Sequence, residues 1–396
     1  MRYLILVFLV FTSLIAKDFK IATYNVQNLF DLTRNGDEYK EYIPFTKSKW
    51  DKKNFNLKLK HISRVIKDLD ADIIALEEIE NLNAARELNR ALGNKKYPYI
   101  YTFFNKNGYG VDSVVFSRYP VAKKYSLKVN GYSREIHVFK FYLDHHKITF
   151  IVNHWPAYKH GYEARAAYAK KIKSILNNKD EFVLLGDFNT PLRVDRHGWG
   201  KSLRVILGVG DFGKPLYDLW YEVPPTIRYT HVYGRIKSAL DHIIVSKNLF
   251  DGKNIEYKPN SFGVFRKPYL LDKYGYPKRW KLTKKKIHIG EGYSDHLPIF
   301  AVLQTKKYSK KKIKSVSISY LKKMFNDLLP VKLENVEAIR VDKYSVLIGD
   351  GKDVIKIYLP DDKFKKGKKY DILVKKIGKY HRNIEIKLCR IIRVRK

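Results

Sequence analysis

The 396-residue sequence predicts an α/β protein in which a mixed two-sheet core carries helices on its outside and is followed by a small all-β barrel. Helical and strand-like segments alternate over residues 19–303. Some neighbouring strand patterns, such as 136–143 and 147–152, have connections of hairpin length, which argues against a purely parallel sheet. Beyond residue 330, short strand-like segments follow one another without an intervening helix.

The N-terminus has the pattern of a secretory signal peptide at residues 1–16. Arg2 precedes an apolar stretch that runs to Ala16, and the charged pair Lys17-Asp18 follows it. The stretch is shorter than the roughly 20 apolar residues that a membrane-spanning helix needs, and no later segment of the sequence is long and apolar enough. We therefore expect a periplasmic or secreted protein with no stable membrane span after signal cleavage. An uncleaved anchor is the alternative.

The main domain is expected at residues 17–305. Its first strand pattern, 19–26, precedes a helix in which apolar side chains recur at helical spacing: Phe55, Leu59, Ile62, Ile66 and Leu69. Further strand patterns lie at 72–76, 99–104, 113–116, 136–143, 148–152, 182–185, 240–245 and 297–303, and helical patterns at 82–92 and 163–176. The stretch 251–293, rich in Lys, Tyr, Pro and Gly, is predicted to be a long loop that is either functional or disordered.

A basic linker is predicted at 306–316 and a separate barrel domain at 317–396. After a short helix near 318–328, strand patterns occur at 337–341, 345–348, 354–358, 370–377 and 383–394. Five short strands in a segment of this size are typical of an oligonucleotide-binding (OB) barrel. A structural or protein-binding barrel is the alternative. The single cysteine, Cys389, lies in an apolar strand pattern, which predicts a buried structural thiol and excludes an intrachain disulfide.

The chain is strongly basic. It has 78 Lys and Arg against 40 Asp and Glu, a net charge of +38. Residues 306–396 hold 27 basic and 10 acidic residues, so they carry +17, and the first 305 residues carry the remaining +21. This excess favours a polyanionic partner such as nucleic acid or an anionic membrane surface. The alternative is that the whole proteome is rich in lysine, so that the charge does not indicate a partner.

Six strand-like segments of the main domain bear polar residues at one end. The segments are 21–25 (IATYN), 73–78 (IIALEE), 148–154 (ITFIVNH), 182–189 (FVLLGDFN), 239–242 (ALDH) and 294–300 (SDHLPIF). Buried strands need no carboxylate, amide or imidazole at their ends for stability. Rigid strands that deliver such groups to one edge therefore indicate a hard-metal site for phosphate chemistry.

The residue types suggest a division of labour. Glu78 and Asp295 offer carboxylates to a divalent ion such as Mg²⁺, with Asn25 and Asp187 as further candidates. Asp187 could also align or deprotonate a water molecule.

Amide and imidazole side chains could serve the phosphate group itself. Asn189 lies two residues after Asp187 and could donate to a phosphoryl oxygen. His154 and His296 are suited to acid–base chemistry near neutral pH, and Asp241 could orient one of them. Taken singly, each residue could be an ordinary turn former, helix cap or packed loop residue.

The ordered motifs resemble those of the endonuclease/exonuclease/phosphatase superfamily. They are Thr23-Tyr24-Asn25, Leu76-Glu77-Glu78, Val152-Asn153-His154, Gly186-Asp187-Phe188-Asn189, Leu240-Asp241-His242 and Ser294-Asp295-His296. The resemblance spans about residues 19–303. The NHWPA segment, followed by Arg165 and several alanines, is similar to exported bacterial nucleases and implies that Arg165 binds substrate.

The resemblance implies a four-layered α/β sandwich with its site at one edge of the two packed sheets. Glu78 would be the principal Mg²⁺ ligand, with Asn25 and Asp295 in the metal and phosphate shell; Mn²⁺ or Ca²⁺ are alternative ions. Asp187 would orient the nucleophilic water and Asn189 would hold the scissile phosphate.

The remaining roles that the resemblance implies belong to three residues. His154 and His296 would contact the phosphate and share the acid–base work, and Asp241 would orient one of them.

Two departures stand out. Glu77 replaces the usual Gln, and no residue matches the tyrosine of abasic-site endonucleases.

These observations lead to an exported Mg²⁺-dependent nuclease as the expected function, with DNA as the expected nucleic-acid substrate. The predicted loop at 251–293 supports it, because cations alternate with rings that could stack on bases: Phe265-Arg266-Lys267, Tyr274, Tyr276 and Lys278-Arg279-Trp280. The alternative is a solvated loop whose rings pack locally. The alternatives are a sphingomyelinase-like or other phosphodiesterase or phosphatase of the same superfamily, and a catalytically inactive binding protein.

Overall fold

The computed structural model describes residues 17–103, 110–177, 180–192, 201–207, 216–305, 313–323, 330–381 and 383–395. The predicted signal peptide lies outside the described residues, as does most of the predicted linker. Within the described ranges, no helix has the length and apolar character needed to cross a bilayer.

The first sheet, sheet A, is mixed. Within the described chain its strands follow the order β13-β15-β1-β2-β4-β3, and β14 also pairs with β15. Numbered along the chain, they are β1 (Asp18–Leu29), β2 (Ile73–Ile79), β3 (Tyr99–Tyr101), β4 (Asp112–Ser117), β13 (Glu256–Tyr257), β14 (Gly263–Val264) and β15 (Ile299–Gln304). β1 pairs parallel with β2 and antiparallel with β15, so the polar C-terminal ends of β1 and β2 meet at one edge.

The second sheet, sheet B, follows the order β5-β6-β7-β8-β12-β9. Its strands are β5 (Val121–Leu127), β6 (Ile136–Leu143), β7 (His146–His154), β8 (Phe182–Asp187), β9 (Leu216–Asp218) and β12 (Asp241–Ser246). β6 and β7 form the predicted hairpin, and its turn residues Asp144 and His145 have positive φ angles of 48° and 68°, as a tight hairpin turn requires. β7 and β8 are parallel, which brings His154 beside Asp187. A small separate hairpin joins β10 (His231–Tyr233) to β11 (Ile236–Ser238).

Helices cover the outer faces of both sheets. They are α1 (Lys52–Leu69), α2 (Leu82–Ala91), α3 (Gly161–Ile175) and α4 (Lys201–Leu207). The predicted apolar stripe of α1 packs, together with α2, on the outer side of sheet A, whereas α3 and α4 pack on sheet B. A third apolar layer, including Phe19 and Phe150, lies between the sheets. Helices, sheet, sheet and helices make up the four-layered α/β sandwich that the sequence predicted.

The long segment 251–293 is largely irregular but well packed. Trp280 is buried against Trp50 of the helical layer, and its ring lies 5.1 Å from Nζ of the buried Lys58. Phe265 is also buried in this core. Phe265 and Trp280 therefore follow the alternative of local packing and cannot stack on bases, because burial removes their large apolar surfaces from water. Tyr274 is exposed, as predicted.

The C-terminal domain is a closed barrel with the strand order β16-β17-β18-β20-β19. Its strands are β16 (Val331–Val341), β17 (Ser345–Gly349), β18 (Val354–Tyr358), β19 (Lys369–Tyr380) and β20 (Asn383–Arg395), and the short helix α5 (Ile318–Leu321) precedes them. Only β18 and β20 pair in parallel among the described barrel strands, and the arrangement agrees with the predicted OB-like barrel. Cys389 is buried in the barrel core, where burial raises the pKa of its thiol.

The barrel contacts the main domain beside β9, at the end of sheet B. The guanidinium of Arg228 binds both carboxylate oxygens of Asp361, with Nη2 2.6 Å from Oδ2, and both side chains are buried. Nearby, Lys375 Nζ lies 3.7 Å from Glu222 Oε1. A buried bidentate pair defines the orientation of the two partners more than it adds to stability.

Candidate active site

The polar strand ends converge on one edge of the sandwich. The parallel pairs β1–β2 and β7–β8 end there, and β12 begins there with Asp241 directly opposite Asp187. The segment before β15 adds Asp295 and His296. Of the nine site residues predicted from the sequence, eight are gathered at this edge: Asn25, Glu78, His154, Asp187, Asn189, Asp241, Asp295 and His296.

Glu78 owes its position to an irregularity in β2. The pairing of β2 with β4 shifts register between Leu76 and Ile79, and Glu78 adopts a positive φ of 67°. A bulge of this kind turns a side chain away from the regular alternation of a strand. Positive φ is uncommon for a residue with a Cβ and is concentrated at functional sites. Glu78 Oε2 accepts from the backbone N–H of Asn28 at 2.9 Å, which holds the carboxylate at the edge.

Asn25 bridges two carboxylates of the site. Its Nδ2 donates to Glu78 Oε1 at 2.9 Å and to Asp187 Oδ2 at 3.1 Å, while its Oδ1 accepts from the backbone of Gln27. The amide therefore connects sheet A to sheet B across the site. Its roles in metal and substrate binding stay predictions.

Asp187 and Asn189 form a compact turn at the end of β8. The backbone N–H of Asn189 donates to Asp187 Oδ1 at 2.8 Å, and Asn189 has a positive φ of 46°. Its Nδ2 donates to the carbonyl of Trp155 at 2.9 Å. Burial raises the pKa of Asp187, while the neighbouring imidazole of His296 works against that rise. A carboxylate with a raised pKa is better matched to proton transfer near neutral pH than a solvated one.

His296 and Asp241 form a buried ion pair. Nδ1 of His296 lies 2.8 Å from Oδ2 of Asp241, and Nε2 lies 4.0 Å from Oδ2 of Asp187. Burial alone would lower the pKa of His296, but Asp241, together with Asp187 and Asp295, raises it well above its ordinary value. The imidazole is therefore cationic at neutral pH, and Nε2 presents a proton to the site.

His154 is in the opposite electrostatic state. Burial and the adjacent cations Arg134 and His296 lower its pKa well below the ordinary value. Nε2 of His154 lies 3.0 Å from Nη1 of Arg134, which donates to it, and 3.9 Å from Glu78 Oε1. The two predicted acid–base histidines thus differ: His296 carries a proton to donate, whereas neutral His154 accepts a hydrogen bond from Arg134.

Asp295 lies at the other end of the site from His154. Although burial opposes ionisation, the cationic His296, together with Arg279, holds the pKa of Asp295 below its ordinary value. Nη2 of Arg279 lies 3.2 Å from Asp295 Oδ2, and the Arg279 side chain is 59% exposed. Asp295 is therefore ionised at neutral pH.

Glu77, the departure from the family pattern, faces the interior. It is fully buried, and the hydroxyl of Thr23 donates to its Oε1 at 2.7 Å. Burial raises its pKa well above the ordinary value. A protonated Glu77 is neutral and has one hydroxyl donor, so it resembles the usual glutamine in charge and adds no negative charge at neutral pH.

Arg165 is the ninth predicted residue and stands apart from the other eight. It lies on α3 with 2% of its surface exposed. Its Nη1 donates to the carbonyl of Ala157 at 3.3 Å, and its guanidinium lies 5.0 Å from the ring of Tyr158. The side chain supports the loop that follows His154, and its role in substrate binding stays a prediction.

Two basic residues of the site were not predicted from the sequence. Arg134 belongs to the loop before β6, where no local pattern distinguishes it. Lys58 looked like one polar residue of an amphipathic helix, yet it is fully buried, and its Nζ donates to the carbonyls of Gln27 and Tyr293 at 3.0 Å each. It ties the end of β1, after Asn25, to the segment that precedes Asp295.

The carboxylates of the site could hold a divalent cation. Burial raises the pKa of Glu78 and the negative charge of Asp295 raises it further, so the two carboxylates repel each other without a cation. Their oxygen donors fit the preference of Mg²⁺. Asp187, Asp241 and His296 also offer ligand atoms within 4.8 Å of one another, although His296 is engaged with Asp241. A bound cation would stabilise negative charge on phosphoryl oxygens.

The fold and this edge of carboxylates and imidazoles define a hydrolase of phosphate esters. A protein-family model described as "Endonuclease/Exonuclease/phosphatase family" matches residues 20–305, and the chain belongs to that family. A search among curated proteins found no match.

Solved structures with a similar fold come from bacteria and animals. An endonuclease/exonuclease/phosphatase family protein of Bacteroides thetaiotaomicron is 17% identical, with 74% of this chain and 99% of that chain covered and a TM-score of 0.48. A mannosyl-6-phosphatase of the same organism is 17% identical, with 72% and 99% covered and a TM-score of 0.46. TDP2 of D. rerio, complexed with a single-strand DNA product, is 13% identical, with 72% and 98% covered and a TM-score of 0.46.

Proposed function

We propose that this protein is an exported, Mg²⁺-dependent nuclease that hydrolyses phosphodiester bonds of extracellular or periplasmic DNA. The observation that carries the reaction is the arrangement of a cationic His296, held by Asp241, next to Asp187 with its raised pKa. One group can donate a proton to the leaving oxygen while the other accepts one from water. A general acid and a general base at the same centre can assist both ends of an in-line displacement at phosphorus.

The remaining site residues would hold the substrate. Asn189 and Arg134 would donate to phosphoryl oxygens, and Glu78 with Asp295 would hold the metal ion, for which Mg²⁺ is favoured by the all-oxygen ligands. His154 would orient Arg134 by accepting its N–H. Each role depends on positioning and charge, which account for most of the catalysis of phosphoryl transfer.

Two properties favour nucleic acid as the substrate. One is the net charge of +38. The other is a surface of the barrel that we call the tyrosine face, made of Tyr358 and Tyr380; Tyr380 is 56% exposed. Lys356 and Lys387 place their Nζ atoms between 5.1 and 5.9 Å from the ring centroids of Tyr358 and Tyr380. Interleaved rings and cations suit single-stranded nucleic acid, whose bases stack while its phosphates meet the lysines.

Nuclease assays on the purified protein test the proposal. Circular plasmid, linear duplex, single-stranded DNA and RNA would each be incubated with Mg²⁺ and with EDTA. We expect DNA degradation in Mg²⁺ that EDTA abolishes, and a loss of about 10³-fold or more for Asp187→Ala and for His296→Ala. The exposed Asp251→Ala and His160→Ala are the matched controls. Full activity in either site variant would refute the site assignment, and release of choline phosphate from sphingomyelin without DNA cleavage would refute the substrate.

Export is tested separately. The chain would be expressed with and without residues 1–16 in a bacterium, and the periplasm, medium and cytoplasm assayed for the protein. We expect the full chain outside the cytoplasm with Lys17 near its new N-terminus, and the shortened chain inside. An intact N-terminus on a membrane-bound protein would instead indicate the anchor.

A further inference from the structure

A cavity of about 920 Å³ opens beside the candidate active site. Arg134 forms part of its wall, and the same Arg134 donates to His154 Nε2 at 3.0 Å. Loops after β1 and β2, before β4 and between β5 and β6 supply the rest of the lining. A group attached to a phosphate held at Arg134 would therefore reach directly into this space, which has the size of an ordinary small-molecule pocket.

The lining of this cavity is acidic, in contrast to the protein as a whole, so we call it the acidic cavity. Among the residues that the structure describes, five carboxylates line it against the two cations Lys128 and Arg134: Asp31, Asp37, Glu80, Asp112 and Glu135. Even without the buried Glu80, these acids outnumber the cations by four to two. Amide and hydroxyl side chains complete the polar surface. Such a lining repels phosphate and suits groups that donate hydrogen bonds, such as sugar hydroxyls and base amino groups.

The strand order puts the acidic cavity and the basic features at opposite ends of the site. In sheet A the strand order is β15-β1-β2-β4, with Asp295 before β15 and Glu78 on β2. In sheet B the order is β12-β8-β7-β6, with Asp241 at the start of β12 and Arg134 in the loop before β6. The exposed Arg279 and the barrel lie at the end of Asp295 and Asp241, since the barrel binds beside β9 and β12. A polyanion is therefore attracted to the end that holds Arg279 and repelled by the carboxylates of the acidic cavity.

We propose that the acidic cavity receives the terminal, phosphate-free nucleoside of a nucleic-acid strand, so that the enzyme cuts at strand ends. This inference rests on the proposed nuclease function and sharpens its substrate. Hydroxyls of the terminal sugar and N–H groups of the base would donate to the carboxylates and amides of the cavity. The next phosphate would lie at the reacting centre, and the rest of the strand would extend past Arg279.

The test compares single-stranded DNA of one sequence in four forms: with free hydroxyl ends, with a 5′ phosphate, with a 3′ phosphate and as a closed circle. The rate of the first cleavage is measured in Mg²⁺ for each form. We expect the strand with free ends to be cut about tenfold or more faster than the circle, and a phosphate at one of the two ends to slow the first cut by a similar factor, because it would be placed among carboxylates. Which end responds identifies the polarity of the enzyme.

A variant with fewer carboxylates in the acidic cavity tests whether these charges cause the preference for hydroxyl ends. Asp37→Asn with Glu135→Gln removes two charges from partly exposed positions, and we expect it to bring the ratio of rates for hydroxyl and phosphate ends close to one. Asp251→Asn with Glu334→Gln removes two distant surface charges and should leave that ratio unchanged. Thermal unfolding confirms that both proteins are folded.

Three outcomes would overturn the inference. Equal rates for circle and free ends refute end recognition while leaving the nuclease function intact. If a terminal phosphate slows the first cleavage equally in the wild type and in the cavity variant, the effect arises in another part of the protein. Choline phosphate release from sphingomyelin vesicles, without cleavage of any nucleic acid, would mean that the cavity holds a cationic headgroup, and it would refute the proposed function as well.

Discussion

Nδ1 of His296 and Oδ2 of Asp241 are 2.8 Å apart, although the two residues are far apart in the sequence. Asp241 belongs to sheet B, whereas His296 precedes a strand of sheet A. The hydroxyl of Thr230 donates to the same carboxylate oxygen. Asp241 therefore determines both the orientation of the imidazole and its charge, because it is the main contributor that keeps His296 protonated against the cost of burial. Much of the expected behaviour of the enzyme follows from this pair.

Replacement of Asp241 by Asn should change the pH dependence of the reaction. Without the carboxylate the pKa of His296 falls, so the cationic form is lost at a lower pH. We expect activity to drop by about 100-fold near neutrality and the alkaline limb of the kcat/KM profile to move to lower pH. Thr230→Val, which removes a hydrogen bond but no charge, should lower activity while the limb stays in place. An unchanged profile in Asp241→Asn would show that His296 is not the acid.

Glu77→Gln should stabilise the protein at alkaline pH. The folded-state pKa of Glu77 is raised, so its contribution to stability is complete below the pKa of the unfolded chain, near 4.3, and is lost as pH rises towards the folded value. Gln cannot ionise, so it avoids that loss. Urea unfolding in EDTA should show little difference between the two proteins at pH 4.5, and the variant should be more stable by about 1 kcal/mol or more at pH 8. Equal stability at both pH values would mean that Glu77 is ionised in the fold.

Arg134 should matter for the transition state more than for the fold. Arg134→Ala removes a guanidinium next to His154 and Glu78, and we expect kcat/KM to fall by about 10²- to 10³-fold. Arg134→Lys should recover only part of the loss, because an ammonium cannot reproduce the planar donors. Arg90→Ala, on the exposed surface of α2, is the matched control. Wild-type kinetics in Arg134→Ala would remove it from the site.

The Arg228–Asp361 pair should be essential for the docking of the barrel. Asp361→Ala leaves a buried guanidinium without its partner, and we expect a loss of about 3–5 kcal/mol in the free energy of unfolding. The double variant Arg228→Met with Asp361→Leu should regain most of it, since it removes both charges. Asp18→Ala, which breaks the exposed pair with Lys258, should cost about 1 kcal/mol or less. A small loss in Asp361→Ala would indicate that the interface opens readily to water.

The tyrosine face should bind single-stranded DNA through stacking. Tyr358→Ala and Tyr380→Ala should each weaken binding by about 1–3 kcal/mol, measured by fluorescence anisotropy with EDTA present to prevent cleavage. Lys356→Ala with Lys387→Ala should instead reduce the dependence of affinity on salt. Tyr142→Ala, an exposed ring on sheet B, should bind as the wild type does. Unchanged affinity in both tyrosine variants would remove the nucleic-acid role from this face.

How much was predictable differs between residues of the same site. Asp187 and Asn189 could be found because they follow a short apolar strand directly, and strand periodicity is a local property of the chain. Arg134 could not be found, because it lies in a loop and meets His154 only through the packing of β6 against β7. Trp280 and Phe265 were misplaced for the same reason: a loop sequence does not reveal which core it covers.

The sequence by itself determined the reaction class. Short segments of the sequence show the polar ends of the buried strands and the order in which they occur. The alternation of helices with strands and the five barrel strands are local patterns of the same kind. Only the tertiary structure decided the charge state of each group and the shape of the cavity beside the site. The cationic His296, the neutral Glu77 and the acidic cavity beside Arg134 arise between residues far apart in the chain, because burial and neighbouring charges exist only once the sheets have packed.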